Sequence, residues 1–232
     1  MLTILMGKSA TGKDTLQQQL AKDYDIERVV TATTRPMREG EQDGRDYHFK
    51  TDAEFDELIA TGSLIEYTEF NGVKYGCPKS SVDFDKDQCI ILEPEGVQNF
   101  IKELGQENVF VVSMELEDDI RKFRAEGRGS FTEEKWQERL KNDNERFSEE
   151  TVDELANMRL DLTFRMYGGE SPSVTAADLI KALNTYKEDA SKFPDEKRIA
   201  VYSSDVKGYV TYSKSEYNEL ETAKASKEIM PY

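Results

Sequence analysis

Residues 2–6 are apolar but for one threonine, read as a strand, and run straight into a turn bounded by Gly7 and Gly12. From Lys13 to about Tyr24 the spacing changes: Leu16 and Leu20 stand four apart, which predicts a helix with one apolar stripe. Residues 27–34, with Val29, Val30 and Thr31, predict a strand, and the polar, glycine-containing segment 35–46 predicts an exposed, ligand-facing loop. A short helix over 53–60 closes at Gly62, and alternating apolar positions over 64–74 predict strands about a turn at Asn71-Gly72. Residues 89–92 and 109–112 are continuous apolar runs, as expected of strands buried on both faces of a parallel sheet. Residues 117–126 predict a helix ending at Gly127. Ser130 followed by Glu133 spells a capping box for a long helix reaching about Met158. A strand over 160–166 and a helix over 175–186 complete the alternation.

Strands alternating with helices predict a three-layer α/β fold. Past residue 186 the pattern changes. A charged stretch over 189–195 contains Pro194; then 199–202 and 209–212 predict a hairpin about residues 205–208, and Ser213 with Glu216 caps a final helix. A ββα piece of this size rarely folds alone, so it is expected to dock on the main body.

Composition narrows the class. The 232 residues include 37% hydrophobic and 10% aromatic positions, enough for a core, and carry a net charge of −16. Such acidity argues against nucleic-acid or acidic-membrane binding, both of which need a basic surface. No apolar run approaches the ~20 residues of a membrane span. Two cysteines, Cys77 and Cys89, make no disulfide framework and suggest a reducing cytoplasm. One histidine, His48, leaves no His-rich metal site.

The strongest chemical signal is Gly7-x-x-x-x-Gly12-Lys13 between a strand and a helix. That context suits a phosphate-binding loop. Backbone N–H groups and the positive helix end surround a polyphosphate, Lys13 reaches its β and γ oxygens, and Gly7, Ala10, Thr11, Gly12, Lys13, Asp14 and Thr15 form the expected phosphate site, which by itself says only that a nucleotide binds. Asp14 stands where Ser or Thr usually serves Mg²⁺. It reads either as a metal attractor or as an outward-facing first-turn acid favoured by the helix dipole.

Further motifs single out a family. Thr33-Thr34-Arg35-Pro36-Met37-Arg38, then Gly40-Glu41 and Gly44-x-Asp46-Tyr47-x-Phe49, resembles the acceptor-binding segment of guanylate kinases. So do Leu64-Ile65-Glu66-Tyr67 and Phe70-x-Gly72-x-x-Tyr75-Gly76, and the lid-like Arg124-x-x-Gly127-Arg128-Gly129 with Arg139 beyond it. The resemblance covers about residues 1–186. It implies a P-loop NTPase-type parallel sheet with an acceptor-binding insertion (about 33–82), a helical lid (about 120–145) and, outside the resemblance, a small C-terminal ββα extension (187–232). It also implies transfer of the ATP γ-phosphoryl group to GMP or dGMP with Mg²⁺.

Under that resemblance Lys13, Arg124, Arg128 and Arg139 are the catalytic cations. Thr31, Arg35, Arg38, Tyr47, Glu66, Tyr75, Cys77 and Glu95 bind the acceptor, and Asp14 and Glu93 are candidate Mg²⁺ ligands. Physical chemistry supports several of these roles. Arg35 and Arg38 can clamp a monophosphate bidentately. Glu66 can accept from both N1–H and the 2-amino group of guanine, whereas adenine presents an acceptor there. Cys77 replaces the family's serine with a weaker donor. Glu93 and Glu95, on a strand expected over 90–96, replace two aspartates, and the Asn-Asp pair often found near the donor nucleotide is missing after residue 163. The alternatives are a deoxynucleotide kinase of broader base tolerance and a non-catalytic guanylate-kinase-like interaction domain. Small-molecule nucleotides are the expected partners, with room for a homodimer through the C-terminal extension.

Overall fold

The structure, a computed structural model, describes residues 1–70, 72–127, 131–188, 198–203 and 205–228. Strand β1 (Leu2–Met6) leads through the 7–12 turn into helix α1 (Lys13–Tyr24). The run expected as one strand over 27–34 divides into β2 (Glu27–Arg28) and β3 (Ala32–Thr33), which belong to different sheets. Val29 stays with the core, its N–H on the Cys89 carbonyl at 3.0 Å, and the chain then crosses to the smaller sheet. β4 (His48–Phe49), α2 (Asp52–Ala60), β5 (Leu64–Phe70) and β6 (Val73–Pro78) follow. Thr51 and Glu54 form a capping box at the start of α2. Of the expected Asn71-Gly72 turn, Asn71 lies outside the described residues, and Gly72 has φ +72°.

Next come β7 (Gln88–Ile91) and α3 (Pro94–Leu104). The strand expected over 90–96 therefore ends early. Pro94, with its φ preset and no N–H to waste, takes the first helical turn, and Glu93 is the N-cap residue. β8 (Val109–Leu116), α4 (Asp118–Glu126), α5 (Glu133–Arg146) and α6 (Glu149–Met158) come after it. One long helix to Met158 was the expectation; two are present. Phe147 leaves helical geometry at ψ +40°, and Ser148 caps α6 by accepting from the Thr151 N–H at 3.3 Å. Thr132, accepting from Lys135, is the cap of α5; Ser130, the expected one, lies outside the described residues.

β9 (Leu162–Met166) and α7 (Pro172–Glu188) complete the alternation, and β10 (Arg198–Ser203), β11 (Gly208–Ser213) and α8 (Lys214–Glu228) end the chain. The break expected about Pro194 lies outside the described residues.

Among the described residues the central sheet runs β11-β10-β9-β8-β1-β7-β2, parallel except for β11. Period-two alternation sends Leu5, Phe110, Val112 and Phe164 to one face, under α1 and α7. Leu2, Ile4, Val109 and Val111 face the other side, with α3 and α6. Both faces are buried, as the continuous apolar runs require. The second sheet, β4-β3-β6-β5, forms the expected insertion. The C-terminal hairpin joins the body edge-on: β10 pairs in parallel with β9, Leu162 opposite Arg198 through Arg165 opposite Val201. Among the described residues no helix is long and apolar enough to cross a membrane.

Candidate active site

The 7–12 turn owes its shape to residues that tolerate left-handed backbone. Gly7 has φ +146°, and a Cβ there would stand 2.4 Å from the Met114 carbonyl oxygen. Gly12, at φ +105°, is the N-cap of α1 and offers no side-chain cap, so the first-turn N–H groups are left for a ligand. Lys13 folds back over the loop, donating to the carbonyls of Gly7 at 2.6 Å and Lys8 at 2.9 Å. Burial pulls its pKa below the ordinary lysine value, against the nearby Asp14 and Asp143. Thr11 closes the turn from its hydroxyl to the Lys8 carbonyl.

Arg124 bridges this loop and the segment after β9, donating to Thr11 O at 3.0 Å and Gly168 O at 3.4 Å. Beside it a cavity of about 290 Å³ is lined by Gly12, Thr15, Arg124, Met166, Pro172 and Thr175. Glu170, its side chain 2% exposed, holds the Tyr167 and Gly168 N–H groups and stands 4.0 Å from Arg124. Sequence reasoning missed Glu170. Ala10, at φ +62°, and Asp14, exposed on the first turn of α1, complete the loop.

A second cavity, about 410 Å³, opens on the other side of the loop. Ser9, Glu66, Glu93, Glu95, Arg139 and Arg146 line it, with Asp143. Burial first, then Glu95 and Glu93, push the Glu66 pKa up to about 7. Cys77 faces Glu66 in the β5–β6 register; it is fully buried, and burial with Glu66 nearby raises its thiol to about 12. Its sulfur points to the Pro78 carbonyl at 3.7 Å. Glu93 is ion-paired with Arg146, and Glu95 lies exposed in the first turn of α3.

The loop before β4 gathers a third group. Arg35 holds Glu41 through both guanidinium nitrogens, at 3.0 and 2.8 Å, and lies 5.4 Å from the Tyr47 ring centre. Hydrogen bonding to Arg35 first, then to the Arg38 N–H, keeps Glu41 below its ordinary pKa. Tyr47 and Tyr75 meet edge-on at 6.4 Å, the Arg38 side chain is exposed, and Thr31 O accepts from the His48 N–H. Arg128, with Gly129, lies outside the described residues. Arg124 and Arg139 sit on separate helices, α4 and α5, and line different cavities.

Besides Glu170, three charged residues escaped sequence reasoning: Arg121, Asp143 and Arg146. A signal for two of them was present, since Asp143 and Arg146 follow Arg139 by four and seven positions and so share its helical face.

Among the described residues no group of three or more His, Cys, Asp or Glu side chains forms a metal cage. Mg²⁺ does not need one: it keeps several waters and binds through one or two carboxylates plus substrate phosphates. Glu93 and Asp14, both close enough to Lys13 to act on its charge, suit that donor set.

The family model for guanylate kinase matches residues 1–161. Guanylate kinases of Streptococcus pyogenes serotypes M3 (strain ATCC BAA-595 / MGAS315) and M18 (strain MGAS8232) are 37% identical to the chain over 165 residues, covering 68% of it and 74% of each relative. The chain also resembles the crystal structure of guanylate kinase from Anaplasma phagocytophilum, with a TM-score of 0.54 and 24% identity over 80% of this chain and 85% of that one, a likeness of fold.

Proposed function

Because the chain belongs to the guanylate kinase family, we propose that it transfers the γ-phosphoryl group of ATP to GMP or dGMP, releasing ADP and the diphosphate. The observation that carries this reading is the 410 Å³ cavity, which joins Glu66, a base-reading carboxylate, to Ser9 of the phosphate loop and Arg139 of the lid. ATP takes the loop and the 290 Å³ cavity beside Arg124; the acceptor takes the larger one.

Lys13 leaves the Gly7 and Lys8 carbonyls for the β and γ oxygens, which replace two neutral acceptors by charged ones. Arg35 makes a parallel exchange: the acceptor phosphate substitutes for the Glu41 carboxylate, with Arg38 as second cation and Tyr47 and Tyr75 as phenolic donors. Glu66, ionised, accepts both guanine donors. An acceptor phosphate oxygen then bonds to the γ phosphorus as the bond to the β-phosphate oxygen breaks, and ADP keeps that electron pair. Arg124, Arg128 and Arg139 balance the charge on the transferring group. When bound, Mg²⁺ neutralises charge between the β and γ phosphates; Asp14 and Glu93 are the residues that would hold it.

Neither the broader deoxynucleotide kinase nor the non-catalytic domain is favoured. A cytoplasmic setting agrees with two buried free thiols. The test is ADP release with ATP and Mg²⁺ over a panel of ribo- and deoxynucleoside monophosphates. GMP or dGMP should exceed AMP, CMP and UMP by about 100-fold or more in kcat/KM. Equal rates across the panel would defeat guanine selection; no turnover of any would defeat the enzyme reading.

A further inference from the structure

Both main-chain polar groups of Ser9 are held by the lid helices. Its N–H donates to Asp143 Oδ2 at 3.0 Å, and its hydroxyl donates to Oδ1 of the same carboxylate at 3.0 Å. Its carbonyl accepts from Arg121 Nε at 2.8 Å. Arg121, from α4, is fully buried, and it is ion-paired to Asp143 of α5 and to Asp118. Its guanidinium stands 5.5 Å from the Trp136 ring centre, in the cluster that also contains Ala10, Ala125 and Leu140. Asp143 is 7% exposed. The roles proposed above use neither residue, yet burying such a pair is expensive in desolvation.

The geometry has a consequence for the loop backbone. In a trans peptide the N–H and the preceding C=O point in opposite directions. Fixing the Ser9 N–H on Asp143 therefore aims the Lys8 carbonyl the other way, and that carbonyl receives both Lys13 Nζ and the Thr11 hydroxyl. Arg121 fixes the next peptide plane through the Ser9 carbonyl. Two consecutive planes of the phosphate loop are thus set from α4 and α5, the helices that carry Arg124 and Arg139.

We propose that Asp143, with Arg121 behind it, is a positioning residue for phosphoryl transfer: it locks the Lys8–Ser9 peptide and so fixes the backbone of the phosphate loop relative to the lid. The proposal rests on the kinase reading above. It deepens that reading by naming what aligns the donor loop with the lid cations. Neither residue touches the transferring group; both act through Ser9.

The test must separate alignment from stability, since removing one partner strands the other's buried charge. Arg121→Leu with Asp143→Ala removes both charges together and should melt within a few degrees of the wild type. Its kcat should fall between about tenfold and a hundredfold, the usual cost of sub-ångström misplacement, while the KM for GMP stays within about twofold. Wild-type kcat in this stable double variant would reduce the pair to a structural brace and overturn the proposal. So would a raised GMP KM at unchanged kcat, which would put Asp143 on the acceptor. If the double variant does not fold, Asp143→Asn assayed below its own melting temperature decides: a reduced kcat with unchanged GMP KM supports alignment, and an unchanged kcat overturns it. The wild-type enzyme turning over GMP in the same assay stands as the separate test of the kinase reading.

Discussion

A pKa of about 7 places Glu66 where small changes in pH alter its charge, and guanine needs that charge. Two donors on the base require two lone pairs from an ionised carboxylate, so binding GMP below about pH 7 must first release a proton. The acceptor KM should rise about tenfold per pH unit as pH falls below 7, a slope that follows from one proton per binding event. GMP also titrates on its phosphate, so the comparison is Glu66→Gln in the same buffers. That variant should bind GMP more weakly by about 1–3 kcal/mol through an unpaired donor, and should lose the Glu66 part of the pH slope. A wild-type KM indifferent to pH would mean that Glu66 does not read the base. Stability moves in the opposite direction to binding. The folded pKa lies above the unfolded value of 4.5, so the contribution is complete below about pH 4.5 and is lost as pH rises through 7. Lys13→Ala belongs to the same scale. The lysine is parked on two loop carbonyls rather than in the hydrophobic clusters, so its removal should leave the melting temperature nearly unchanged and reduce kcat by about a hundredfold or more. Steady-state kinetics beside a thermal melt would settle it; activity within a few-fold of wild type would refute the assignment.

The junction between β1 and α1 is an element whose sequence and geometry agree at both glycines and at Lys13, with Ala10 alone holding a left-handed φ without being glycine. Gly7→Ala would put a Cβ 2.4 Å from a backbone oxygen at a φ of +146°, and backbone cannot step aside as a side chain can. The expected loss is about 2–4 kcal/mol, or roughly 5–15 °C in Tm, with ATP affinity falling as the loop distorts. A melt at the wild-type temperature would show that the turn rearranges freely. Such junctions were legible because a strand, two glycines and a lysine each point to the same local structure. Sequence and structure part where one residue decides. Pro94 converts the expected strand at 94–96 into the start of α3, and Ser148 cuts a helix whose apolar pattern continues across the break. Neither change alters the apolar pattern enough to be read from it. Residue type and spacing were enough to single out Lys13 on the loop and Glu66 and Arg139 of the cavity beside it, whose roles are the proposal above. They were not enough where tertiary burial decides. The pairing of Arg121 with Asp143 links residues on two helices, and in sequence both look like solvated charges.

Across the whole molecule the C-terminal hairpin does more than cover an edge. Tyr209 of β11 packs edge-on against Phe164 of β9 at 4.8 Å and against Tyr202 at 5.6 Å, and its hydroxyl is 3.0 Å from Thr175 Oγ1 on α7. Burial pushes that phenol's pKa well above the usual tyrosine value. On the opposite face Tyr217 of α8 closes over Ile199 and Val201. Truncation after Tyr186 would uncover the β9 edge and the Phe164 ring together, leaving a flat parallel edge ready for intermolecular pairing. Each uncovered large side chain is worth about 1.5–3 kcal/mol, so the truncated chain should melt at a distinctly lower temperature and aggregate at concentrations the full chain tolerates. The chemistry should largely survive, because every cation assigned to the transferring phosphoryl group precedes Asn144. One kinetic change is expected. Thr175 lines the cavity beside Arg124 and loses its Tyr209 partner, so the KM for ATP should rise a few-fold while that for GMP holds. Melting temperature, mass in solution and both KM values, measured together on the truncated and full chains, distinguish the cases. A homodimer through the extension predicts a dimeric full chain and a monomeric truncated one. A stable monomeric truncation with no turnover would place the extension over the active site instead, because only a direct contribution to catalysis could remove activity without loosening the sheet.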